Sequence, residues 1–174
     1  MKLAVLFPGI GYHCDKPLLY YTKKILKNKG YQIHEIQFTD LDFDLVKSKD
    51  KAYQQALQQV EAMAFSTFDS VLFVSKSIGT YCAARLAKEY HLTSNIYFTP
   101  LDFTPEFLSP NDLVFSGTQD QWASYAYIEE YCKKHQIPLH SILDGNHSLE
   151  TGNIQTDLTN LREVMKQVEA YIHN

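Results

Sequence analysis

The stretch Val74-Ser75-Lys76-Ser77-Ile78-Gly79-Thr80 decides how this chain is read. An apolar run, Val71-Leu72-Phe73-Val74, enters it as a strand, and a helix is expected to leave it near Ile78. Between them lies the pattern Ser-x-Ser-x-Gly. A serine between small residues at a strand-to-helix junction fits a backbone bent so sharply that larger neighbours would clash, with the hydroxyl held clear of the sheet. Ser77 is therefore a candidate nucleophile. The competing reading is an ordinary connection with Ser77 near a helix N-cap, so the assignment needs partners from elsewhere in the chain.

On either side of this turn the sequence alternates between two periodicities. Strands are expected at Leu3 to Phe7, Tyr31 to Phe38, Ser70 to Ser75, Asn95 to Thr99, Leu113 to Ser116 and Leu139 to Leu143. Helical spacing links Leu18, Thr22, Ile25 and Leu26 up to a stop at Lys29-Gly30, and then Tyr53, Ala56, Leu57, Val60, Met63 and Ala64. Cys82, Ala83, Ala84 and Ala87 give the helix after Ser77 small side chains that let it lie close to a sheet. Two more helices are expected at about Gln121 to His135 and Asp157 to Ile172. Parallel neighbours need crossovers and the crossovers are helices, so the class is α/β: a doubly wound, mostly parallel six-stranded sheet in three layers.

Composition limits what such a domain can do. With 174 residues, 45% of them hydrophobic, a single domain with a sizeable core is expected. A net charge of -4, with Lys and Arg scattered, offers no basic field for a nucleic acid or an anionic membrane, so neither is an expected partner. Cys14, Cys82 and Cys132 match neither a disulfide framework nor a paired metal motif, which points to reduced thiols in a cytoplasm. The apolar run after Met1-Lys2 ends at Pro8-Gly9 and reads as a first strand rather than a signal peptide.

Ligands of open α/β sheets sit beyond the carboxyl ends of the strands. After the first strand come Pro8-Gly9-Ile10-Gly11-Tyr12-His13-Cys14-Asp15, where two glycines allow a sharp turn with unencumbered N–H groups. After the fifth come Gly117-Thr118-Gln119-Asp120-Gln121-Trp122, and after the sixth Asp144-Gly145-Asn146-His147-Ser148. Nucleophile, acid and histidine thus occur in the order Ser77, Asp120, His147, each at a strand's carboxyl end. Asp120 could instead cap the helix containing Trp122, and Asp102, after the fourth strand, is the reserve acid. His13-Cys14-Asp15 reads as loop or pocket wall rather than a metal corner, because consecutive residues rarely converge on one ion.

This ordered set resembles the α/β-hydrolase family over nearly the whole chain. Ser75-Lys76-Ser77-Ile78-Gly79 differs from that family's Gly-x-Ser-x-Gly only in a serine at the first small position, and Gly117-Thr118-Gln119-Asp120 and His147 match its acid and histidine loops. The first loop is similar to the family's oxyanion loop, with Pro8 where a histidine is usual. The family's two leading strands are missing, so the resemblance implies a minimal version, all parallel, with spatial order 2-1-3-4-5-6. It also implies a serine hydrolase of a small carboxylic ester or thioester, working without a metal or other cofactor. Ser77 would be nucleophile, His147 base and Asp120 its orienting acid, while the backbone N–H groups of Ile10 and Ile78 would receive the oxyanion. Tyr12, Phe103 and Trp122 are candidates for the substrate pocket. Only Leu101 to Asn111 separates the fourth and fifth strands, enough for a turn or a 3₁₀ segment but too short for a hinged helical lid. Two other classes stay open: a non-catalytic binding or scaffold protein on this fold, and a flavodoxin-like nucleotide-binding protein in which Gly9-Ile10-Gly11 cradles phosphate.

Overall fold

The computed structural model describes residues 1–173. Six parallel strands form one sheet in the order β2-β1-β3-β4-β5-β6. They are β1 (Lys2–Phe7), β2 (Tyr31–Glu35), β3 (Ser70–Lys76), β4 (Ile96–Phe98), β5 (Leu113–Gly117) and β6 (Leu139–Ile142). The helices are α1 (Pro17–Asn28), α2 (Leu45–Glu61), α3 (Ile78–Glu89), α4 (Tyr125–His135) and α5 (Ile154–His173).

The two-residue period of the strands divides the core. Leu3, Val5, Phe7, Phe73, Tyr97 and Val114 join Ala52, Ala56 and Val60 of α2, the small face of α3, and Ile128 of α4. Ala4, Leu6, Leu72, Val74, Ile96, Phe98 and Phe115 face the other way, onto Leu18, Leu19 and Leu26 of α1 and Val164 and Val168 of α5. Strands covered on both faces have no polar side, which is why these runs are continuous in their hydrophobicity.

Several boundaries differ from expectation, each for a local reason. The second strand stops at Glu35 rather than Phe38, because α2 takes over its backbone partners. The Gln59 side chain accepts from the Gln37 N–H (2.9 Å) and donates to its carbonyl (2.9 Å), and Gln55 does the same for Thr39 (2.9 and 2.8 Å). Helix α2 starts eight residues before the stripe at Tyr53, where the Asp44 carboxylate accepts from the Lys47 N–H. Helix α4 begins at Tyr125 rather than Gln121, with Ser124 as its cap. Between β4 and β5 the chain makes a single 3₁₀ turn, Pro105–Phe107.

Candidate active site

Ser77 sits between the end of β3 and the start of α3 with φ 55° and ψ −124°, a conformation that costs a non-glycine residue about 1–3 kcal/mol. The bend is held by its neighbours. The Ser77 N–H donates to the Phe98 carbonyl (3.1 Å), and the Ser77 carbonyl accepts from the Thr80 N–H (2.9 Å) and hydroxyl (2.6 Å). A side chain at Gly79 would place its Cβ 2.4 Å from the Phe7 carbonyl oxygen, so α3 can start this close to β1 only with glycine there.

The three residues singled out by order along the chain meet at this end of the sheet. The Ser77 hydroxyl lies 2.7 Å from His147 Nε2, and His147 Nδ1 lies 2.6 Å from Asp120 Oδ2. A carboxylate can only accept, so Nδ1 carries the proton and Nε2 is left to accept from the serine. The Asp120 side chain is fully covered, and its other oxygen accepts from the Trp122 N–H at 2.8 Å. That bond turns the loop towards His147 instead of capping a helix. Burial pushes the His147 imidazole below its ordinary pKa, the hydrogen bond to Asp120 works against this, and the Lys76 charge adds to the lowering.

The acid and histidine loops are fastened together. The Gln119 N–H donates to the Gly145 carbonyl (2.9 Å), and the Asp144 N–H donates to the Thr118 hydroxyl (2.8 Å). The backbones pass so closely that a Cβ on Gly117 would lie 2.1 Å from the Gly145 oxygen. Asn146, which the sequence reading did not single out, closes the histidine turn: its side-chain oxygen accepts from the N–H groups of Ser148 (2.7 Å) and Glu150 (3.2 Å).

The backbone N–H groups of Ile10 and Ile78 donate to no protein group among the described residues. Ile10 lines the cavity beside Ser77, and Ile78 opens α3, where unpaired donors and the helix dipole coincide. The loop carrying Ile10 folds back on itself through a Gly9–Tyr12 backbone pair (3.0 and 3.4 Å).

A cavity of about 210 Å³ opens onto Ser77 and His147, with Tyr12 and Trp122 in its wall. Phe103 is not there. Its ring meets Tyr81 of α3 edge-on at 5.2 Å and borders a neighbouring depression, because the short segment after β4 packs back on α3. The reserve acid is also otherwise employed, since Asp102 accepts from the Ser124 N–H at 2.8 Å. Asp15 is paired with Lys23 (2.8 Å) and Cys14 is buried with its thiol pushed up to about 12, so His13-Cys14-Asp15 is loop wall.

Phe43 and Leu45, from the start of α2, and Lys16, Lys76 and Gln121 also line it. None of these was picked out from the sequence. For Lys76 a signal existed: it is the one charge in the apolar run of β3, immediately before the serine. It is 1% exposed, and burial pushes its ammonium down to about 7, with attraction from Asp120 working the other way.

The architecture has counterparts among solved structures. A Xanthomonas campestris α/β serine hydrolase described as lacking a lid superposes with a TM-score of 0.76 at 15% identity, over 99% of this chain and 81% of that one. The fold is that of the α/β serine hydrolases. A Pyrococcus furiosus esterase matches with a TM-score of 0.73 at 10% identity, covering 99% and 82% of the two chains. Est1E from Butyrivibrio proteoclasticus, in a complex with ferulic acid, gives 0.70 at 12% identity, covering 99% and 88%. No family model and no curated protein matches the sequence.

Proposed function

We propose that this protein is a serine hydrolase that cleaves small carboxylic esters or thioesters through an acyl-enzyme on Ser77. The observation that carries the reading is the unbroken chain from the Ser77 hydroxyl through His147 to Asp120, at 2.7 and 2.6 Å, with the serine held at φ 55°.

A serine hydroxyl is a weak nucleophile at neutral pH, so it must lose its proton as it attacks. His147 Nε2 takes that proton, while Asp120 fixes the tautomer and stabilises the imidazolium that forms. Charge moves from the attacking oxygen onto the carbonyl oxygen, and the N–H groups of Ile10 and Ile78 receive it. Collapse expels the alcohol or thiol, which takes the proton back from His147. Water then repeats the attack with the same base, releasing the acid and restoring Ser77.

The cavity of about 210 Å³ is below the range of about 300–1,000 Å³ typical of drug-sized ligands, which favours a short acyl group. The 3₁₀ turn between β4 and β5 supplies no hinged cover, so turnover needs no lipid interface. The three buried cysteines, none of them disulfide-bonded, fit a reducing, cytoplasmic setting. The test is labelling with a fluorophosphonate followed by peptide mapping. Stoichiometric modification of Ser77, blocked by prior incubation with a short p-nitrophenyl ester, is expected; an unlabelled Ser77 in folded protein would sink the assignment.

A further inference from the structure

Among the cavity-lining polar side chains that the hydrolytic scheme does not use, Lys76 is the most deeply buried. Its place follows from strand geometry: Leu72, Val74 and Lys76 share one face of β3, so the lysine stem runs into the α1/α5 side of the core. Lys76 lines the cavity that holds Ser77 and His147, and its charge is near enough to act on both His147 and Asp120. Its amino group lies 4.9 Å from the Tyr12 ring centroid, and the amino group of Lys16 lies 6.0 Å from the same ring.

Among the described residues the Lys76 amino group makes no hydrogen bond and no ion pair. Asp120 attracts it from farther off, but both oxygens of that carboxylate are already engaged, by the Trp122 N–H and by His147. An ammonium taken out of water without an acceptor is among the costliest things a fold can bury, and methionine of similar length would fill the same space without that cost. The other titratable groups near it are Tyr12 and Lys16 from the β1–α1 segment, His147 from the loop after β6, and Glu150, which acts on Tyr12 at a distance. None supplies the missing acceptor. An anionic ligand group in the cavity would.

We propose that Lys76, with Lys16 at the rim, binds a carboxylate carried by the substrate, so that the ester cleaved at Ser77 belongs to an acyl group ending in a negative charge. This rests on the hydrolase reading of Ser77. The aromatic face of Tyr12 holds the ammonium while the site is empty, and the carboxylate gives it a charge-assisted hydrogen bond when the site is filled. Because burial lets the amine lose its proton near neutrality in the empty site, selection for the charged substrate weakens as pH rises.

The experiment compares two esters of equal chain length, p-nitrophenyl hydrogen adipate and p-nitrophenyl hexanoate, by the ratio of their kcat/KM values from pH 6 to 8.5. Each ester needs the same base, so the titration of His147 cancels in the ratio. A charge-assisted bond predicts a ratio favouring the adipate by roughly 10- to 100-fold at pH 6, with most of that preference lost in Lys76→Met and a smaller part in Lys16→Gln. In the wild type the ratio should fall through about pH 7. Cleavage of the hexanoate with no preference for the adipate, or a preference untouched in folded Lys76→Met, overturns the carboxylate site and leaves the hydrolase intact. If Lys76→Met does not fold, the wild-type pH series decides, and a flat ratio overturns the proposal. Failure of the wild type to cleave either ester overturns the hydrolase reading and this inference with it.

Discussion

Two ionisable side chains are buried at opposite ends of the sheet, and their surroundings differ. Asp112, just before β5, is 1% exposed and accepts three hydrogen bonds, from the N–H and side-chain amide of Asn95 (3.0 and 3.1 Å) and from the Ser109 N–H. Asn95 in turn accepts from the Phe73 N–H at 3.2 Å, so one carboxylate ties together the segments of β3, β4 and β5. Lys76, at the other end of β3, is equally buried and has only the face of Tyr12. Both have been displaced from their ordinary pKa values by burial, Asp112 upward to about 6 and Lys76 downward to about 7. A charge whose bonds are completed within the chain belongs to the fold, whereas one left incomplete in a cavity beside a strained serine is available to a ligand.

The contrast can be broken from either end. The largest effect should come from Ser77→Ala, which on the hydrolase reading lowers kcat for a p-nitrophenyl ester by about 10⁴-fold or more, with no loss of thermal stability. Substantial residual turnover would mean that this end of the sheet is not where the chemistry occurs. Asp112→Ala should do the opposite. Stranding three buried donors should cost about 3 kcal/mol, or roughly 10 °C in Tm for a chain of this size, while kcat per folded molecule is unchanged. The pH dependence sharpens this. The Asp112 pKa is higher in the folded protein than in the unfolded chain, so its contribution favours folding at acid pH and is lost as pH rises through about 6. Urea midpoints between pH 4 and 7 should show that decline in the wild type and lack it in Asp112→Ala.

Lys76→Met should be neutral or stabilising, within about 1 kcal/mol, because it removes an ammonium with no acceptor and leaves the packing volume nearly unchanged. A large loss of stability would show that Lys76 holds the fold as Asp112 does. The smallest effect is on the pH profile. With His147 as base, kcat/KM for a neutral ester should rise with pH through a midpoint below the ordinary histidine value, and removing the Lys76 charge should move that midpoint upward. A downward movement would contradict the arrangement of charges described here.

The structural elements differed in how clearly the sequence announced them. Strands β1, β3 and β5 stood out because residues buried on both faces leave continuous apolar runs; Ser77 and Asp120 could be located because each follows such a run at a turn-forming segment, and His147 because Gly145 and Asn146 precede it just past the partly buried β6. The start of α2 was hidden, since Leu45 to Ala52 carries three lysines and its buried positions include only Ser48 and Ala52. The end of β2 is hidden for a related reason. Side chains of Gln55 and Gln59 can stand in for a neighbouring strand, and nothing local to Gln37 or Thr39 reveals it.

By itself, then, the sequence determined the alternation of strands and helices, hence a mostly parallel sheet, and the chain order of serine, acid and histidine, all of which rest on short-range periodicity and on what must follow a strand; the spatial order of the strands came from the family resemblance. Only the tertiary structure decided that Phe43 rather than Phe103 lines the cavity, that Asp102 serves a helix start, and that Lys76 reaches the Tyr12 ring with no hydrogen-bonding partner. These depend on which loops meet at the carboxyl end of the sheet and on which of their groups are already hydrogen-bonded. Such contacts join residues distant along the chain, and no local pattern in the sequence records them.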